Sequence, residues 1–85
     1  MRIRADVLEW REVEGEVVAL DLRSNTYLAV NRTGAAIWPA LMSGADRAEL
    51  VRRLTQRFGV AEERAAADLD VFLAELAEQD LLESP

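Results

Sequence analysis

The first third of the chain alternates apolar and polar residues at the period of two that is typical of β-strands. Three such runs occupy residues 7–13, 16–22 and 26–30. A short polar turn separates each run from the next, at Glu14-Gly15 and at residues 23–25. Because short turns join antiparallel neighbours, this part of the chain predicts a three-stranded antiparallel meander.

The rest of the chain spaces its apolar residues at helical intervals. Asn31 or Thr33 can cap a first helix that extends to Gly44. Pro39 lies within this helix, and a kink or an irregular end of the helix is expected near it. Asp46, with Glu49 three residues later, approximates a capping box for a second helix.

The second helix is expected to end at Gly59, in the left-handed conformation that glycine adopts readily. A third helix begins near residues 61–63 and extends to about Gln79, and the apolar pair Leu81 and Leu82 follows it. The apolar stripe of this helix consists of Leu69, Phe72, Leu73 and Leu76.

Strands followed by helices in one short chain predict an α+β fold, in a single domain that spans residues 1–85. The second and third helices, joined at Gly59, form a helix-turn-helix arrangement like that of a winged helix. Trp38 and Phe58 lie at helical core spacing, so we expect both to pack in the interior. Tyr27 lies on the strand face opposite Leu28 and is expected to be partly exposed.

The composition excludes most catalytic chemistry. The chain has no cysteine and no histidine, and all ten of its basic residues are arginine. Thiolate catalysis, disulfides, Schiff-base chemistry and histidine or cysteine metal sites are therefore excluded. Carboxylates remain, but their spacing on the third helix fits a solvated face better than a catalytic pair. We expect no catalytic residue, no metal site and no cofactor.

The net charge of −6 is concentrated near the C-terminus, where residues 62–83 carry eight acidic residues and a single arginine. An acidic helix repels phosphate backbones, so the charge argues against nucleic-acid binding and suits a basic peptide. No apolar run approaches the roughly 18 residues of a membrane span. The first residues lack the apolar core of a signal peptide, which predicts a soluble cytoplasmic protein without membrane contact.

The third predicted strand is an edge strand without charge or proline. The outer edge of such a strand leaves backbone donors and acceptors available to an incoming peptide. The alternative is that the third helix of the same chain covers this edge, or that the strand is simply kept short. The residues alone leave both possibilities open.

Residues 20–38 resemble the PqqD-like family, whose members carry a strand, a polar turn, an aromatic residue and then a run of small and aromatic residues. The positions that match are Asn31, Gly34, Ala35, Ile37 and Trp38. Val30 replaces the usual leucine. The end of the chain resembles the last helix of the family and its Gly-Leu-Leu terminus, with Asp80 in place of the glycine.

The resemblance implies a winged-helix-like domain with three strands and three helices. It also implies a non-catalytic recognition element that binds the leader of a ribosomally made precursor peptide as a strand beside the third strand and the third helix. The residues implied to contact the leader are Tyr27, Leu28, Ala29, Val30, Asp68, Leu69, Phe72, Glu75 and Leu76.

Within this family, a free-standing chain of this length most resembles the leader-binding protein of lasso-peptide biosynthesis. Its partners would be the precursor leader peptide and a leader-cleaving cysteine protease. The alternatives are a carrier that presents a precursor peptide to a radical enzyme in pyrroloquinoline quinone synthesis, and a DNA-binding winged helix.

Overall fold

Three strands precede three helices in the computed structural model, which describes residues 1–83. The sheet is antiparallel with the order β1-β2-β3, so β1 and β3 are its edges. This arrangement confirms the α+β class and the order of the elements. The bounds are β1 (Leu8–Val13), β2 (Glu16–Asp21), β3 (Thr26–Val30), α1 (Arg32–Ser43), α2 (Arg47–Phe58) and α3 (Glu62–Glu78).

The predicted helix signals are confirmed by hydrogen bonds. The Gly34 N–H donates to Asn31 Oδ1 over 3.1 Å at the start of α1. The Glu49 N–H donates to Asp46 Oδ1 over 2.8 Å at the start of α2. Each bond satisfies one of the backbone donors that a helix leaves free at its N-terminus. Gly59 ends α2 with a left-handed φ of 65°.

Of the two outcomes expected near Pro39, a kink or an irregular end of the helix, the irregular end is wrong, because α1 continues through Pro39 to Ser43. The residues on either side of the proline, Trp38 and Ala40, are both buried. Their packing stabilises the helix although the proline cannot donate a backbone hydrogen bond.

The helices cover only one face of the sheet. On β2 that face carries Val17 and Ala19, which are almost fully buried, whereas Leu22, just beyond the strand, is 46% exposed on the other side. The largest side chains of the core, all less than 2% exposed, are Trp38, Ile3, Ile37, Leu41, Leu50, Leu54, Leu69, Leu76, Leu81, Val17 and Val30.

Phe58 does not belong to this core, and its expected burial is wrong. Its side chain is 40% exposed, while Leu54, one turn earlier, is 1% exposed. Phe58 is the last residue of α2, so its ring lies at the end of the helix pair rather than between the layers. The guanidinium of Arg57 lies 5.9 Å from the centroid of the ring.

The two ends of the described chain pair with each other. Ile3 forms an antiparallel bridge with Leu82, and the Arg4 N–H donates to the Leu81 carbonyl over 2.8 Å. The Ile3 N–H also donates to the Leu41 carbonyl over 3.0 Å. Ile3 and Leu81 are fully buried, so the N-terminal segment provides the packing partner for the apolar pair after α3.

A polar cluster holds the β2–β3 turn against the end of α3. Arg23 donates to both carboxylate oxygens of Asp21, at 3.1 and 3.0 Å, and to the Gln79 carbonyl at 3.1 Å. Asp80 accepts from Arg23 and from Arg4, at 3.2 and 2.9 Å. Asp80 also has a left-handed φ of 55°, a conformation that glycine adopts more readily than aspartate.

The Asp21–Arg23 pair makes the stability of the fold depend on pH. Hydrogen bonds from the side chain and the backbone of Arg23 lower the pKa of Asp21 from its ordinary value of 3.8. The folded state therefore favours the ionised carboxylate. The contribution of this carboxylate to stability is complete above pH about 4 and is lost as pH falls through the folded pKa.

We expect Asp21→Asn to be less stable than the wild type at pH 7, with the difference shrinking below pH 4. Urea denaturation from pH 7 to pH 3 measures this, and a difference that stays constant would contradict it.

None of the helices within residues 1–83 is long and apolar enough to cross a membrane. In the same part of the chain, no group of three or more carboxylates is placed to hold a metal ion.

Candidate functional site

A groove of about 320 Å³ runs between β3 and α3. One wall is the third strand with the residues that lead into α1, and the other is a single face of α3. The residues that line it are Leu28, Ala29, Val30, Asn31 and Thr33 on the strand side, and Asp68, Val71, Phe72, Glu75 and Leu76 on the helix side.

The strand edge that faces this groove is unpaired. β3 bonds to β2 through five residue pairs along one edge. Among residues 1–83 no other backbone group bonds to residues 26–30. The helix α3 therefore faces the free edge of β3 across the groove without pairing to it. Of the two possibilities that the sequence left open, the structure shows the uncovered edge.

The floor of the groove is apolar and belongs to the core. Val30, Phe72 and Leu76 are 2%, 9% and 1% exposed. Val71 stands higher on the helix wall and is 62% exposed. The floor can therefore bury apolar side chains of a ligand, and an exposed valine lies at its rim.

Gly34 allows the ring of Phe72 to lie beside the end of β3. A Cβ atom at this position would come within 2.5 Å of Val30 Cγ1 and 2.8 Å of Phe72 Cε1. Both distances are far below van der Waals contact, so an alanine would displace the strand end or the ring.

The charged groups of the groove are acidic. Asp68 and Glu75 both line it, and no basic residue does. The Asp68 carboxylate lies 3.8 Å from the guanidinium of Arg64, one turn earlier on the helix. Glu75 forms no ion pair within the described part of the chain. The groove therefore presents a negative potential to a ligand and favours a basic group near Glu75.

Seven of the nine residues that the sequence assigned to the site line this groove. The other two are Leu69, which is fully buried in the core, and Tyr27, which is 71% exposed on the opposite face of the sheet. The groove also contains Val71, Asn31 and Thr33, which the sequence did not assign to it. Helical spacing could have found Val71, because it lies three residues after Asp68 and four before Glu75.

Comparisons with known proteins found a matching family model and similar solved structures. The family described as "Coenzyme PQQ synthesis protein D (PqqD)" matches residues 16–82. The chain is similar in structure to TbiB1 in complex with the TbiA(beta) leader peptide, with a TM-score of 0.87 and 32% sequence identity over 100% of this chain and 98% of that one.

A second similar structure is lasso peptide synthetase B1 complexed with the leader peptide. Its TM-score is 0.79 and its sequence identity is 28%, over 94% of this chain and 93% of that chain. A comparison with curated proteins found no match.

Proposed function

Because the chain belongs to the PqqD family, we propose that it is a non-catalytic recognition element for the leader of a ribosomally made precursor peptide. The observation that carries the proposal is the free backbone edge of β3, which faces an apolar-floored groove of about 320 Å³. Both of the similar structures hold a leader peptide, which supports the same class of ligand here.

The leader binds as a fourth strand along β3. Backbone hydrogen bonds to the free edge supply affinity without reading sequence, and the side chains supply specificity. Successive side chains of a strand point to opposite sides, so alternate residues of the leader enter the groove. There they contact Val30, Phe72 and Leu76 on the floor, and a basic residue of the leader lies near Glu75.

The bound leader is presented to a leader-cleaving cysteine protease in lasso-peptide maturation. The similarity to lasso peptide synthetase B1 supports this pathway. The description of the matching family favours one alternative, a carrier that presents a precursor to a radical enzyme in pyrroloquinoline quinone synthesis. Co-purification of this chain with each enzyme class, with and without leader, distinguishes the two partners.

The strand-addition mode is tested on the peptide, which leaves the protein unchanged. A fluorescent leader, taken from the precursor encoded beside this gene, is titrated with the protein, and its backbone amides are N-methylated one at a time. We expect saturable binding that is lost when the leader is scrambled. Methylation at every second residue of the paired segment should raise the Kd at least about tenfold, because each removes a donor from the ladder.

Methylation at the intervening residues is the matched control, since those amides point away from β3. If the leader binds but the rise in Kd on methylation does not alternate from one residue to the next, strand addition is contradicted while leader recognition is preserved. A leader that does not bind at high protein concentration would contradict the recognition role itself.

A further inference from the structure

A second hollow adjoins the peptide groove where α2 turns into α3. It has a volume of about 170 Å³, and we call it the corner hollow. Thr33 and Asp68 line both the groove and the corner hollow, so the two are neighbours. The apolar residues that line the corner hollow are Leu54, Phe58, Val60 and Ala65, and its basic residue is Arg64, 3.8 Å from the Asp68 carboxylate.

A third hollow, of about 340 Å³, lies next to the corner hollow and shares Phe58 with it. We call it the arginine hollow, because Arg32 and Arg57 line it together with a single acid, Glu12. Within residues 1–83 neither arginine forms an ion pair. Arg57 lies over the ring of Phe58, 5.9 Å from its centroid.

The three hollows follow one another through shared lining residues, and we call this series the path. Its lining changes from acidic, at Glu75 and Asp68, to basic, at Arg64 and then at Arg32 and Arg57, with the ring of Phe58 between the last two hollows. Phe58 is 40% exposed, which is unusual for a ring that lies beside the core residue Leu54.

We propose that the bound peptide extends past the segment paired with β3, places an apolar side chain against Phe58 and sets a carboxylate near Arg32 and Arg57. This inference rests on the proposed leader recognition and adds the chemistry of a second contact region. The opposite charges at the two ends of the path select one direction of the peptide, because the reverse direction would bring like charges together.

The test compares variants of exposed residues on α2. Phe58→Ala and Arg57→Gln remove the two proposed contacts. Arg53→Gln is the matched control, because Arg53 lies on the same helix, pairs with Glu49 and lines none of the three hollows. Each variant is titrated with the full leader and with a leader shortened to the segment that the N-methyl scan identifies as paired with β3.

We expect Phe58→Ala to raise the Kd of the full leader about tenfold, and Arg57→Gln about threefold to tenfold, with Arg53→Gln within about twofold of the wild type. The shortened leader should bind the wild type and Phe58→Ala equally. Changing one acidic residue of the leader to its amide should also abolish the effect of Arg57→Gln, which identifies the carboxylate in contact with it.

Equal binding of the full leader to the wild type, Phe58→Ala and Arg57→Gln would overturn the extended path and leave the groove as the whole site. A full leader that fails to bind the wild type would overturn the proposed function and this inference together. Circular dichroism and a urea titration of each variant establish that a loss of affinity is not a loss of folded protein.

Discussion

Gly34→Ala should destabilise the protein, although alanine is the better helix former. In an unconstrained helix the same change would stabilise by up to about 1 kcal/mol. Here the added methyl group would meet Val30 Cγ1 at 2.5 Å and Phe72 Cε1 at 2.8 Å. Overpacking of this kind costs about 1–3 kcal/mol, so we expect a lower free energy of unfolding in urea denaturation.

The same methyl group should also weaken leader binding at least about tenfold, because it pushes the ring of Phe72 toward the groove. Ala67→Gly is the control, since Ala67 is exposed on α3 and outside the groove, and glycine there costs about 1 kcal/mol. That variant should lose stability and keep its affinity. A Gly34→Ala protein that gains stability would show that helix propensity outweighs the close contacts at this site.

Trp38→Ala should lower the free energy of unfolding more than Gly34→Ala does. The indole is fully buried, and truncation of a buried tryptophan to alanine costs about 3–5 kcal/mol. A domain of 85 residues has a total stability of about 4–13 kcal/mol, so much of the margin would disappear. Urea denaturation followed by circular dichroism measures this without relying on tryptophan fluorescence.

Trp10 provides the comparison, because the centroid of its ring lies 5.9 Å from that of Trp38 in an edge-to-face arrangement, while 40% of its surface is exposed. We expect Trp10→Ala to cost about 1 kcal/mol, in the range of an aromatic pair. If the two variants lost equal stability, the interior position of Trp38 would not be the source of the effect.

Local signals in the sequence were sufficient to predict the order of the elements and most of the residues that line the groove. Asp46 and Gly59 act on backbone groups a few residues away, so their positions in the sequence already specify where α2 begins and ends. For α1 the sequence offered Asn31 or Thr33 as the cap, and the structure has Asn31. The same holds for the third strand, because its lack of charge and proline can be recognised directly from the sequence.

Other features depended on which surfaces meet in three dimensions. Alternation at period two divides the side chains of β2 between two faces, but the position of the helices decides that Val17 is buried and Val18 is exposed. On α3, helical spacing groups Val71 with Asp68 and Glu75, but only the packing of the helix on the sheet decides that Leu69 is buried in the core instead of lining the groove.

By itself, the sequence determined the α+β order, the helix ends, the acidic third helix and an edge strand free of charge and proline, because each follows from residues that are close together in the chain. Only the tertiary structure decided that α3 leaves this edge uncovered, that Ile3 is buried and bridges to Leu82, that Phe58 is exposed and that the three hollows are neighbours. These features join segments that are far apart in sequence, and such pairing is selected by the burial of complementary surfaces and leaves no local pattern.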